Sequence, residues 1–499
     1  MLLPHQLAYK NLLINTFIIP LRIPISVWKM TENEVKMGIG PPLPLRKLPD
    51  PPALTLKEYF RWCGPALILG SLGIGGFEAY HAAYVANQGF IGIFWLYLVS
   101  TFFQVLINRE VGRWTMATGE TLTQGVSRLK PKFFWPILTT FWVSFYLWPA
   151  WITGAAAAVA ALTGLFDWII WSAMVLIVTL LMFYLSPKVY SMIEKVIEVI
   201  FFIGVIGIIA FSSLGASATS FSETVKGWLI PMIPAGITWS VIGPFLLQPG
   251  GGPVNYFHTY WIRERGMGMG AYIGKVTGLV AKPEEIATFG CTFDTKDPNE
   301  IRKWKGWMRL NTVTLIVFMA LASISVTFFV SLLGVAAREK GIAAPSGWKV
   351  AVVIADLLGK IYGPIVYVML LFVVFIGLFD TQFGFYDAIA RTFADTVWVN
   401  FKKFAARRSY RFWYFLFLTV GSIVCLAVVP LGTPYIIWLV VNWIAYVIQI
   451  VCTVPMLYLN FKFLPKEIRP SLWTIALLVA FQVVLAAGFI LWGMEMFRA

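Results

Sequence analysis

Gly73-Ile74-Gly75-Gly76-Phe77-Glu78 and Pro249-Gly250-Gly251-Gly252-Pro253 interrupt two apolar stretches that are otherwise long enough to cross a bilayer. Proline removes a backbone donor and clashes with the preceding turn, and each glycine costs about 1 kcal/mol of helix propensity relative to alanine. Continuous helix is therefore not expected through either run. Backbone groups released at membrane depth must face protein, water or a ligand. A single glycine cluster is explained well enough by close packing or a kink. Two clusters five spans apart, each followed by a polar residue (Glu78 and Asn255), instead predict two inverted five-helix repeats with a midplane site at their interface.

The rest of the chain supports this reading. It has 499 residues, 59% hydrophobic and only 13% charged, a membrane-type balance. Apolar runs of roughly 20 residues, the length that spans a bilayer, recur at about 60–86, 90–117, 133–162, 167–187, 189–213, 231–262, 307–335, 361–390, 411–430, 434–459 and 470–494. The expected fold class is thus an all-α polytopic membrane protein with about 11 spans and a leucine-transporter-like arrangement, with spans one and six broken. The expected organisation is a cytoplasmic, partly disordered segment 1–59, a first repeat 60–213, a second repeat 214–459 containing a cytoplasmic loop 263–306, and an added span within 460–499. Residues 12–25 are broken by Pro20, Arg22 and Pro24, so they read neither as a span nor as a signal peptide; Lys47 to Pro52 reads as an extended linker, and Met30 and Met37 are alternative starts.

The formal charge of +15, from 39 Lys and Arg against 24 Asp and Glu, does not point to nucleic acid, because the cations collect in alternate loops. The loops after spans two (Arg113, Arg128, Lys130, Lys132), six (Arg263, Arg265, Lys275, Lys282), eight (Arg391, Lys402, Lys403, Arg407, Arg408) and ten (Lys462, Lys466, Arg469) are basic, and those after one, three and nine carry no Lys or Arg. The positive-inside rule then puts the N-terminus in the cytoplasm and the protein in the cell membrane. Arg338, Lys340, Lys349 and Lys360 dissent, and suggest an external surface helix. Cys63, Cys291, Cys425 and Cys452 have no metal-ligand or disulfide spacing and read as packing residues.

Gly64-Pro65-Ala66, Glu110-Val111-Gly112-Arg113, Thr118-Gly119-Glu120-Thr121-Leu122 and Pro253-Val254-Asn255, in this order over about residues 58–494, resemble the Nramp (natural resistance-associated macrophage protein) family of divalent-metal transporters and its divergent prokaryotic branch. The resemblance implies the leucine-transporter-like fold and proton-linked metal uptake. Family members carry Asp-Pro-Gly-Asn in the first break; here the matching positions are Gly75, Gly76, Phe77 and Glu78. The family's metal-binding methionine corresponds to Gly252. Loss of a thioether removes the preference for softer ions, and oxygen donors suit a hard, partly hydrated cation such as Mg²⁺.

Glu78 is the first candidate ligand or proton carrier, because a carboxylate at membrane depth costs about 2.5 kcal/mol or more to insert. The candidate substrate site comprises Glu78, Gly75, Gly76, Gly251, Gly252, Asn255, Asp380 and Gln382, with Glu78, Asn255 and Asp380 as metal ligands. His81, His258 and Glu198 are candidates for a proton path, Lys195 compensating Glu194. Asp387 and Arg391, at i and i+4, read as a structural ion pair, and Arg109, Glu110 and Glu120 as gate or surface charges. The expected function is secondary transport of a divalent cation without a bound cofactor. An organic solute is the rival substrate, held by half-helix N-termini. A channel is a further alternative, and an intramembrane enzyme lacks support from HExxH, G-x-S-x-G or a His-rich cluster. Oligomeric state is not legible in the sequence.

Overall fold

The computed structural model describes residues 34–186, 189–278 and 286–497. The reading of residues 12–25 and that of Met30 as an alternative start therefore lie outside the described residues. Among the described residues, eight helices are long and apolar enough to cross a membrane: Ile91–Thr118, Phe134–Thr163, Trp168–Leu185, Pro298–Glu339, Pro364–Asn400, Tyr410–Leu431, Pro434–Lys462 and Leu472–Met496. They coincide with expected spans two, three, four and seven to eleven. The fifth segment forms one helix, Val189–Leu214, and the first and sixth are composite.

Local chemistry sets the breaks and ends. The third span divides into Phe134–Ser144 and Ala150–Thr163 around Trp148 and Pro149, because proline cannot donate into a helix. The second span ends at Gly119, which adopts φ 68°, and the next short helix starts with a Thr121–Gln124 capping box. The eighth span begins with Pro364 at its first turn and continues for 37 residues, about 55 Å, beyond a hydrocarbon core of about 30 Å. The alanine-rich second half of the third span packs on it. A Cβ at Gly154 would stand 2.0 Å from the Tyr80 hydroxyl, so only glycine admits this ring, whose Oη donates to the Ala150 carbonyl at 2.5 Å.

One expectation changes at the N-terminal end. Residues 34–52, where an extended linker is expected from Lys47 to Pro52, are docked as a strap. Strands Glu34–Val35 and Leu43–Pro44 pair antiparallel, Leu45 bridges to Thr292, and Met37, Leu43 and Leu48 are buried. Arg128 donates to the Met37 and Pro41 carbonyls at 3.0 and 2.8 Å. The dissenting basic loop forms helix Val353–Tyr362, where Lys360 pairs with Asp356 at 2.6 Å, and Arg338 pairs with Glu223.

Candidate functional site

The first break is not an unwound segment. Gly64–Gly73 passes directly into a π-helix, Ile74–Ala82, and then into Ala83–Asn87. A wider i to i+5 turn keeps the backbone amides paired where unpaired groups would be costly, and the glycines tolerate it without loss of helical continuity. The expectation of a non-helical chain from Gly73 to Glu78 is thereby overturned. The sixth segment does break. After Trp239–Ile242 and a 3₁₀ turn over Gly243–Leu247, the Gln248–Pro249 bond is cis, Gly250 and Gly252 take φ of 67° and 69°, and helix resumes at Pro253–Arg265. Positive φ at both positions favours glycine, the residue with no Cβ to clash.

Between the π-segment and this break lies a cavity of about 20 Å³, room for about one water-sized group. Gly76 and Phe77 line it from the first span, Leu247, Gln248, Gly250, Gly251 and Val254 from the sixth, and Tyr146, Trp151, Phe385, Trp438 and Asn442 close it. A Cβ on Gly76 would lie 3.0 Å from the Trp151 indole nitrogen and 3.4 Å from that of Trp438, so two indole donors converge on this glycine. The Trp151 N–H has no hydrogen-bond partner among the described residues. The half-helix starting at Pro253 has no side-chain cap, and Val254 of its first turn lines the cavity. Among the described residues, no carboxylate and no sulfur lines the cavity.

The structure distributes the three expected metal ligands among three separate clusters. Glu78 is fully buried and turned towards spans two and seven, where Tyr97 Oη and Thr327 Oγ1 donate to its Oε1 at 2.8 and 2.5 Å, and its Oε2 has no partner. Asp380 accepts from Ser71 Oγ on the first span at 2.5 Å and from Thr381 Oγ1 at 3.2 Å. Asn255 Nδ2 donates to Gln104 Oε1 at 3.0 Å. Among the described residues, no three His, Cys, Asp or Glu side chains come together as a metal-ligand group. Gln382 Oε1 accepts from the Ile152 backbone N–H at 3.2 Å and so satisfies an amide exposed by the Pro149 break.

Gln104 and Gln449 belong to the site although sequence reasoning passed over them. Gln449 Oε1 accepts from Gly252 N–H at 2.6 Å and from Gln104 Nε2 at 3.3 Å, so the two amides hold the broken backbone. Ser100 Oγ adds a bond to the Gln248 carbonyl at 2.5 Å. The available signal was an isolated glutamine in each of two apolar spans.

His81 links three spans: its Nε2 lies 2.9 Å from the Val241 carbonyl and its Nδ1 2.9 Å from Tyr435 Oη. A carbonyl only accepts, so Nε2 carries the hydrogen and Nδ1 accepts from the tyrosine. His258 is fully buried beside Trp261 and faces the Asn311 amide without a well-formed hydrogen bond. Glu198, expected on the proton path, is exposed on the fifth span. Glu194 pairs with Arg265 at 2.9 Å and not with Lys195.

Below the sixth break, the predicted Asp387–Arg391 pair is present, with Arg391 Nε 2.9 Å from both carboxylate oxygens, and it extends further. Arg391 also binds Glu264, Arg263 pairs with Asp395 at 3.3 Å, and Tyr410 and Tyr414 donate to Asp395 and Asp387 at 2.7 Å each. All five charged residues are buried, and they tie the sixth and eighth spans together and to the ninth. Glu110 and Glu120 are likewise buried, paired with Arg113 and Arg128 at 2.5 Å, and are not surface charges.

The fold is helical and polytopic, with the helix arrangement of solved membrane transporters. It is similar to a manganese transporter of Eremococcus coleocola: a histidine-to-alanine mutant of that protein gives a TM-score of 0.59 at 12% identity, covering 92% of this chain and 90% of the other. The same transporter in complex with an aromatic bis-isothiourea substituted compound gives 0.58 at 12% identity over the same shares. At such identity the likeness concerns the fold alone. No sequence-family profile matches this chain. No curated protein matches it either.

Proposed function

We propose that this protein is a secondary-active transporter of a small organic solute whose acceptor-rich or anionic group enters the cavity between the π-segment of span one and the broken sixth span; at about 20 Å³ the cavity holds that group alone and must widen to admit the rest of the solute. The observation that carries this reading is the lining of the cavity: indole N–H donors, aromatic faces and an uncapped half-helix N-terminus, without a carboxylate. Such a lining complements negative charge, whereas a protein site for a hard divalent cation ordinarily supplies at least one or two carboxylates among its oxygen ligands. Glu78 and Asp380 serve as protonatable groups that couple transport to an ion gradient, since each is buried in hydroxyl hydrogen bonds, Glu78 on the first span and Asp380 against it. The basic loops orient the N-terminus towards the cytoplasm of a cell membrane.

A second reading retains a divalent cation as substrate. It is favoured by the shared fold with a manganese transporter and by the Nramp-like motifs, and with glycine at position 252 it applies to a hard ion such as Mg²⁺. A thermal-shift series on the purified protein separates the two, using amino acids and carboxylates in one arm and Mg²⁺, Mn²⁺ and Cd²⁺ chlorides in the other. Hits are followed by uptake into liposomes with and without a pH gradient. Saturable stabilisation and uptake in the organic arm support the first reading, and saturable metal uptake without any organic hit overturns it.

A further inference from the structure

On the face that carries the basic loops, a cavity of about 480 Å³ opens where the eighth span ends and the third begins. Lys132, Lys402 and Lys403 line it, with Ser127, Asn400 and Phe289, and Ile39 to Pro41 of the strap form one wall. None of the described residues that line it is acidic. None of the three lysines has an ion-pair partner among the described residues. Arg128 alongside is already neutralised by Glu120.

The cations crowd one another. Lys402 Nζ lies 4.7 Å from the centre of the Phe289 ring, and the Arg128 guanidinium lies 5.2 Å from the same centre. Desolvation, followed by the charges of Lys132 and Arg128, pushes the Lys402 ammonium below the ordinary lysine range. An uncompensated positive recess of this kind concentrates anions.

The mouth of the recess adjoins an exposed apolar ridge. Directly after Lys132, the third span presents Phe134, Ile137 and Phe141 outward, 48%, 50% and 55% exposed, at the i, i+3, i+7 spacing of a single helix face. Phe133 stacks on Phe401 at 5.4 Å, which joins this ridge to the cavity wall. We propose that the recess binds the phosphate-bearing headgroup of an acidic phospholipid from the adjoining leaflet, with its acyl chains lying along the Phe134, Ile137 and Phe141 ridge. A basic pocket between spanning helices has the chemistry for such a headgroup, and a lysine near an anionic surface strengthens binding roughly five-fold.

The full-length protein in nanodiscs of phosphatidylcholine, with or without about a fifth phosphatidylglycerol, provides the test, read as retained lipid by native mass spectrometry and as thermal stability. The wild type should retain phosphatidylglycerol selectively. Lys132→Gln/Lys402→Gln/Lys403→Gln should weaken that retention about a hundred-fold, while Lys340→Gln/Lys349→Gln at the opposite end leaves it unchanged. The corresponding Lys→Arg triple variant should bind as the wild type does. Equal retention by the glutamine triple variant overturns the proposal, and so does loss in the arginine variant. Inorganic phosphate displacing the lipid at equal concentration overturns it in favour of a soluble anion.

Discussion

Thr327 Oγ1 donates to Glu78 Oε1 at 2.5 Å, so a carboxylate on the first span is held by a hydroxyl on the seventh while its second oxygen stays unpartnered. Glu78→Gln keeps an acceptor oxygen for Thr327 and Tyr97 and nearly the same volume. It removes the charge and the exchangeable proton. Uptake in liposomes should fall at least ten-fold, with the thermal midpoint of the purified protein little changed. Wild-type uptake kinetics at matched protein levels would remove Glu78 from the coupling mechanism.

Gly76→Ala tests the cavity directly. The new methyl would meet the Trp151 and Trp438 indole nitrogens at 3.0 and 3.4 Å and fill the space that a substrate needs. Position 76 is already helical, so the stability cost should stay near about 1 kcal/mol or be offset by alanine's higher helix propensity. Transport should be lost while the protein still elutes as a folded species. A variant that transports normally would show that substrate passes elsewhere.

Gln449→Leu removes the acceptor of the Gly252 N–H and a partner of Gln104. Leaving these buried donors unpaired costs about 1–3 kcal/mol. The expected result is a lower midpoint in thermal unfolding together with loss of uptake; an unchanged midpoint would show that the break is held by other contacts.

Arg128→Met strands the buried Glu120 carboxylate and releases the carbonyls of Met37 and Pro41. Breaking a buried pair in this way costs about 3–5 kcal/mol. Limited proteolysis should cut within residues 34–52 much faster than in the wild type. Glu120→Gln added to Arg128→Met should restore part of the stability, because the stranded charge is gone. Equal proteolysis rates would show that the strap does not depend on Arg128.

Cys291 offers a test by pH. Burial pushes its thiol from 9.0 up to about 12, the neighbouring Arg46 opposing and Glu120 adding to the shift. The neutral form is favoured in the fold, so its contribution to stability is complete below pH 9.0 and is lost as pH rises through about 12. Maleimide labelling of the folded protein near neutral pH should therefore leave Cys291 unmodified, as read by peptide mass spectrometry, and rapid labelling there would mean the loop is open.

The sixth break was legible because proline and positive-φ glycines constrain the backbone whatever surrounds them. The first was not, since Gly73, Gly75 and Gly76 permit a π-helix as readily as an unwound chain. That difference also redirected Glu78, whose facing depends on the helical register. Asp387 and Arg391 could be paired from spacing alone, whereas Arg263, Glu264 and Asp395 meet only through tertiary contact. Gln104 and Gln449 carry no charge and barely perturb hydropathy, which hid them. The strap was misread because its partners, Arg128 and Thr292, lie far along the chain.

Pro364–Asn400 is one uninterrupted helix, and it carries both Asp380 and the ion-paired Arg391 and Asp395. Asp380 and Arg391 are separated by about 16 Å along its axis. The helix therefore acts as a stiff lever: a tilt of about 10° over its length of about 55 Å displaces one end against the other by about 10 Å. The Ser71-bonded Asp380 at mid-helix and the arginine cluster nearer its C-terminal end thus sit on one rigid rod, so a displacement of either along that rod carries the other with it.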